Sequence, residues 1–211
     1  MKTQMRFQKI LMIVSLVVAA ISFVFALVFL TGSLGEATHY IEHLGADVDD
    51  LINAADFVNA SQNYVSTMVT LGIIFIVLAV FMLITSCHTR RKYYITNYIA
   101  IGLFVAFALF VFVYLLIMVS DCMDLFLNGI AWESGTGEFG FRNVADQFIP
   151  EYPMYRTDTW TFILGYIVAV IVLVDAIFVA LNAVWKTLLM KGEKKLLEGN
   201  AAESASAKEV A

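Results

Sequence analysis

Long unbroken apolar runs, rather than alternation, dominate this chain. Four stretches carry no Lys, Arg, Asp or Glu: 10–35, 57–87, 93–120 and 159–174, the last resuming after Asp175 and running on to Trp185. A helix rises about 1.5 Å per residue, so roughly 20 apolar residues cross a hydrocarbon core about 30 Å thick. The pattern predicts an all-α membrane protein, a four-transmembrane-helix bundle with helices near 10–33, 62–87, 93–119 and 159–186. Between them lie outer loops 34–61 and 120–158, and residues 199–211 are small and polar, as expected of a disordered tail. The first run is too long for the roughly 7–15-residue core of a cleavable leader, and no A-x-A site follows it.

Composition agrees. Of 211 residues, 61% are hydrophobic and only 15% charged, where soluble domains carry about 25% charged residues. The charges are laid out with a strong bias. Lys2, Arg6 and Lys9 precede the first helix, Arg90, Arg91 and Lys92 fill the turn between the second and third, and Lys186, Lys191, Lys194, Lys195 and Lys208 follow the fourth. Only Arg142 and Arg156 lie in the loops on the other side. The positive-inside bias therefore predicts both termini in the cytoplasm and two acidic loops outside. Arg90, Arg91, Lys92, Lys191, Lys194 and Lys195 are expected to contact lipid headgroups, each worth about 1 kcal/mol at an anionic surface. Cys87, at the inner end of the second helix, and Cys122, at the outer end of the third, are expected on opposite sides of the membrane and cannot pair with each other within the chain.

Lipid gives helices no hydrophobic reward for pairing, so packing faces need small residues. Ser15, Ala19, Ser22 and Ala26 share one face of the first helix; Gly72 and Ala79 recur on the second; Gly165, Ala169, Ala176 and Ala183 mark the fourth. Their near-heptad spacing suits a left-handed bundle. The third helix is bulkier, rich in Phe, with Gly102 and Ala106 as one small pair. It could face lipid or a partner.

Asp175 is the most informative single residue. With Trp160 and Trp185 taken as interface markers, it lies about 15 Å from the inner one, near mid-bilayer. An Asp there costs about 2.5–3.5 kcal/mol, while its apolar neighbours return about 0.3–0.6 kcal/mol each. The other three helices hold no basic residue within their apolar runs. Asp175 is thus expected to be protonated, hydrogen-bonded, wet, or paired with another protein. Asn182 shares its helix face, making Asp175 and Asn182 an intramembrane polar site. One reading is a proton or cation site or a docking point for a partner's basic residue. The other is a buried clamp that holds the helix in register.

Glu36, His39 and His43 offer a weak metal site: His39-Tyr40-Ile41-Glu42-His43 fits the H-x-x-E-H spacing of inverted zinc peptidases. A loop of this size cannot supply the third ligand and cleft that zinc catalysis needs, so no enzyme and no cofactor is expected. Asn59-Ala60-Ser61 is a formal sequon lying against the second helix. Nothing points to nucleic acid as a partner; the partners expected are the bilayer and a membrane protein or a second copy.

The four-pass plan is shared with tetraspanins and claudins, but the second loop lacks Cys-Cys-Gly and the first lacks a Trp-x-x-Cys cluster, which excludes both. His88-Thr89-Arg90-Arg91-Lys92-Tyr93-Tyr94-Ile95, with Leu189-Met190-Lys191-Gly192-Glu193-Lys194-Lys195-Leu196, resembles uncharacterised four-pass proteins of Gram-positive bacteria. That resemblance implies a bacterial plasma membrane and no known activity. The expectation is a non-enzymatic membrane subunit or scaffold. Alternatives are a small transporter or channel using Asp175, and an outer-face cation or ligand sensor.

Overall fold

A computed structural model describes residues 2–31, 52–87, 93–126 and 159–209. The described residues are helical almost throughout: α1 (Lys2–Thr31), α2 (Ile52–Cys87), α3 (Tyr93–Asp124) and α4 (Trp160–Glu209). Leu125 and Phe126 continue α3 in a wider π turn. Neither of the chain's two prolines falls in these helices, and only isolated glycines interrupt good helix formers.

All four contain spans long and apolar enough to cross a membrane: Thr3–Phe29, Phe57–Cys87, Ile95–Asp124 and Trp160–Gly192. α1 packs on α2 and α4, and α3 packs on the same two, closing a four-helix ring. Consecutive helices run antiparallel. Gln4 meets Asn182 while Phe29 meets Phe162, and Thr85 meets Asn97 while Phe57 meets Phe126. One end of the bundle, the basic end, therefore gathers residues 2–9, 85–87, 93–98 and 182–192. The other, the loop end, gathers Phe29, Phe57, Phe126 and Trp160.

The helices are longer than the charge-free runs predict. α1 begins at Lys2 instead of near residue 10, α2 at Ile52 instead of near 62, and α3 runs past 119 to Asp124. α4 continues to Glu209, where the polar composition predicts a disordered tail from 199. The reason is the same in each case. A charge ends an apolar run without ending a helix, because the helical period turns Arg6 and Lys9 outward while Gln4 and Gln8 point in. The last stretch of α4 is rich in Ala, Glu and Lys, all good helix formers.

The outer wall is as apolar as the core. Ile10, Val17, Val77, Leu103, Ile167 and Leu181 are all exposed. The buried set holds Gln4, Gln8, Ser15, Thr85, Asn97, Asp175, Asn182 and Lys186 beside Phe, Met and Ala. An apolar exterior around a partly polar interior is the arrangement that hydrocarbon demands. Trp160 and Trp185 are exposed near the two ends of the α4 span.

Candidate functional site

The polar interior lies mainly along the seam between α1 and α4. On α4, Asp175, Asn182 and Lys186 fall on one face because their spacings are close to whole turns. On α1, Gln4, Gln8 and Ser15 follow the same rule, and the two stripes face each other.

At the basic end the stripes join α2 and α3 in one hydrogen-bonded layer with Asn97 at its centre. The Asn97 carbonyl oxygen accepts from Lys186 Nζ at 2.7 Å and from Gln8 Nε2 at 3.0 Å. Its amide donates to Thr85 Oγ1 at 3.2 Å, and Thr85 passes its own hydrogen to the Met82 carbonyl at 2.9 Å. Gln4 Nε2 donates to Gln8 Oε1 at 3.3 Å and to Asn182 Oδ1 at 3.2 Å. Lys186 also lies over the Tyr98 ring, 5.1 Å from its centroid, where a desolvated ammonium gains from the π face. Thr187 donates to the Ala183 carbonyl at 2.8 Å and accepts from Tyr98 OH at 2.9 Å.

Asp175 stands apart from this layer, at the centre of the α4 span and opposite Ser15, near the centre of the α1 span. Ser15 Oγ lies 3.0 Å from Asp175 Oδ1 and 3.1 Å from the Leu11 carbonyl. The carboxyl is 5% exposed and turned toward α1, away from the outer wall. Two buried atoms among the described residues lack a hydrogen-bond partner: Asp175 Oδ2 and Asn182 Nδ2.

The loop end is closed by rings. Phe25, Phe29, Phe162, Phe126 and Phe57 form a chain with centroid separations of 5.9, 5.6, 5.4 and 5.4 Å, touching all four helical segments. These are ordinary aromatic packing distances. Nearby, Tyr64 OH donates to Asp121 Oδ2 at 2.6 Å and Ser61 Oγ to the buried Cys122 sulfur at 3.5 Å. Hydrogen bonds between α1 and α4 side chains thus run from the basic end to mid-depth; beyond them Ser22 bonds to the Val18 carbonyl of its own helix, and rings pack the loop end.

Of the small residues, Ser15, Ala19, Ser22, Ala26, Ala79, Ala169 and Ala176 are buried. Gly72 and Gly165 are buried at close helix approaches, and Ala183 is partly buried. Lys191 is exposed at the basic end. Glu36, His39, His43, Arg90, Arg91 and Lys92 lie outside the described residues, as do the side chains of Lys194 and Lys195.

Sequence reasoning passed over Gln4, Gln8, Thr85, Asn97 and Lys186. Lys186 counts toward the inner charge yet is only 8% exposed. The helical phase it shares with Asp175 and Asn182 was the available signal. No protein-family model, curated protein or solved structure matches the chain.

Proposed function

We propose that the protein is a non-enzymatic integral membrane subunit or scaffold that associates with a membrane complex or with a second copy of itself. In this reading it sits in a bacterial plasma membrane with both termini cytoplasmic. The observation that carries it is the closure of the interior. Apart from the Asn182 amide nitrogen, its buried polar side chains at the basic end are spent on one another, and its loop end is filled by phenylalanine rings. Such an interior favours a rigid body over a conduit or a catalytic cleft. Asp175 is turned inward, so partner contacts fall to the apolar outer wall and to the parts of the chain beyond the bundle. Purification from native membranes in mild detergent should recover a stoichiometric partner or a homo-oligomer. A monodisperse lone monomer under the same conditions, with no crosslinkable neighbour, would refute the reading.

A second reading, a small transporter or channel using Asp175 and Asn182, is favoured by the two unpartnered atoms on those residues. It requires pH- or cation-dependent flux in proteoliposomes that Asp175→Ala abolishes. Absence of flux across candidate solutes would count against it, as the aromatic closure already does.

A further inference from the structure

We infer that the groove between α3 and α4 at the basic end is a binding site for one anionic phospholipid. Lys191 takes the phosphate, and the apolar wall of α4 takes the acyl chains. Charge alone predicts headgroup contact at Lys191; the groove adds walls and so a defined occupant. The site goes beyond the subunit reading and does not depend on it.

The groove has a volume of about 370 Å³ and is lined by Tyr98 of α3 and by Ala183, Val184, Thr187, Leu188 and Lys191 of α4. The α4 residues recur every three or four positions, so they form one face of the helix. That face changes chemistry along the bundle axis. Ala183 and Val184 lie on the bilayer side of Trp185, and Thr187 and Leu188 follow it. Lys191 stands six residues beyond Trp185, about 9 Å farther along the axis. Helical side chains lean toward the N-terminus, so the Lys191 stem leans back over the groove. Val184 and Leu188 are 56% and 61% exposed, which leaves the wall open to a chain lying along it.

The two hydroxyls in the groove are spent on each other. Thr187 donates to the Ala183 carbonyl at 2.8 Å and accepts from Tyr98 OH at 2.9 Å. Lys191 is therefore the one charged group lining the groove. Its surroundings favour an anion. Among the described side chains of the basic end, Arg6, Lys9, Lys186 and Lys191 are basic and none is a carboxylate. Lys186 holds its ammonium 5.1 Å from the centroid of the same Tyr98 ring, so a second positive charge stands close by without entering the groove. Basic pockets between membrane helices suit anionic headgroups. A free phosphate would use only the ammonium. A phospholipid uses the whole sequence of apolar wall, neutral hydroxyls and charge, in the order that its chains, glycerol and phosphate present.

Native mass spectrometry of the full-length protein, released from micelles holding equal phosphatidylglycerol and phosphatidylcholine, tests the site. Wild type should keep one phosphatidylglycerol in preference to phosphatidylcholine. Lys191→Gln should lower that preference about fivefold, the worth of one lysine at an anionic surface. Val184→Trp fills the groove without changing any charge and should abolish it; Leu188→Trp, on the same open wall, should do likewise. Lys9→Gln removes an exposed cation of the same end, outside the groove, and should leave the preference intact. Equal losses in Lys9→Gln and Lys191→Gln would mean general surface charge and overturn the site. So would no preference in wild type, or a preference retained by a folded tryptophan variant. Displacement of the lipid by inorganic phosphate would overturn it in favour of a free anion. Partner recovery in detergent is independent of all these outcomes.

Discussion

Asn97 illustrates how unequal the buried polar residues are. It serves Lys186, Gln8 and Thr85 together, so Asn97→Leu strands donors on Lys186 and Gln8 and an acceptor on Thr85. Leaving a buried donor unsatisfied costs about 1–3 kcal/mol, though interhelical bonds in membranes average nearer 0.6 kcal/mol. We expect Asn97→Leu to lower stability by about 1–3 kcal/mol, read from thermal or denaturant unfolding in detergent. Lys186→Met should cost less than about 1 kcal/mol, because it removes a desolvated charge and leaves Gln8 to serve the Asn97 oxygen. If Lys186→Met proves the more damaging of the two, Asn97 is not the centre of the layer. Ser15→Ala removes a single bond to Asp175 and should cost about 0.6–1.7 kcal/mol. Asp175 was legible from sequence as the costly residue. Its partner was not, since no spacing along one helix reveals which residue of another helix stands opposite.

At the scale of elements, three glycines rank the close approaches. A methyl at Gly165 would run into Val119 Cγ2 and sit 2.8 Å from Phe25 Cζ, driving α4 from both α1 and α3. At Gly72 it would meet the Phe23 Cα at 3.1 Å, a milder clash but against backbone. At Gly102 it would meet nothing. Overpacking costs about 1–3 kcal/mol, whereas Gly to Ala in an open helix gains about 0.8–1.0 kcal/mol. Gly165→Ala should therefore be the most destabilising, Gly72→Ala intermediate, and Gly102→Ala neutral or stabilising. Unfolding of the three variants side by side checks the order, and a destabilising Gly102→Ala would show that something covers that face. Small-residue spacing pointed to Gly72 and Gly165 as packing positions, and to Gly102 only as one small pair with Ala106 on a bulkier helix. Only packing separates a glycine that a neighbour needs from one facing outward.

Over the whole molecule, the two ends are built on different principles. The basic end is held by amides and an ammonium near the interface, the loop end by phenylalanine rings. With the basic end cytoplasmic, Cys87, exposed there, should react with a membrane-impermeant maleimide in inside-out vesicles and not in intact cells. Cys122, buried against Ser61, should stay unreactive from either side until the protein is unfolded. Labelling of Cys87 in intact cells would invert the topology.

The apolar runs by themselves determined that four helices are long and apolar enough to cross a membrane, because that depends only on length and the transfer cost of each residue. They also singled out Asp175 and its shared face with Asn182, which follow from one helix's period. Tertiary structure decided what that period cannot reach. It set α1 opposite α4, drew Gln4, Gln8, Thr85 and Asn97 from three helices into one layer, and pulled Lys186 out of the interface charge and into the interior. Those pairings depend on which helices are neighbours and how far each is shifted along the bundle axis. A hydropathy pattern with apolar residues on every side of each helix carries little information about either.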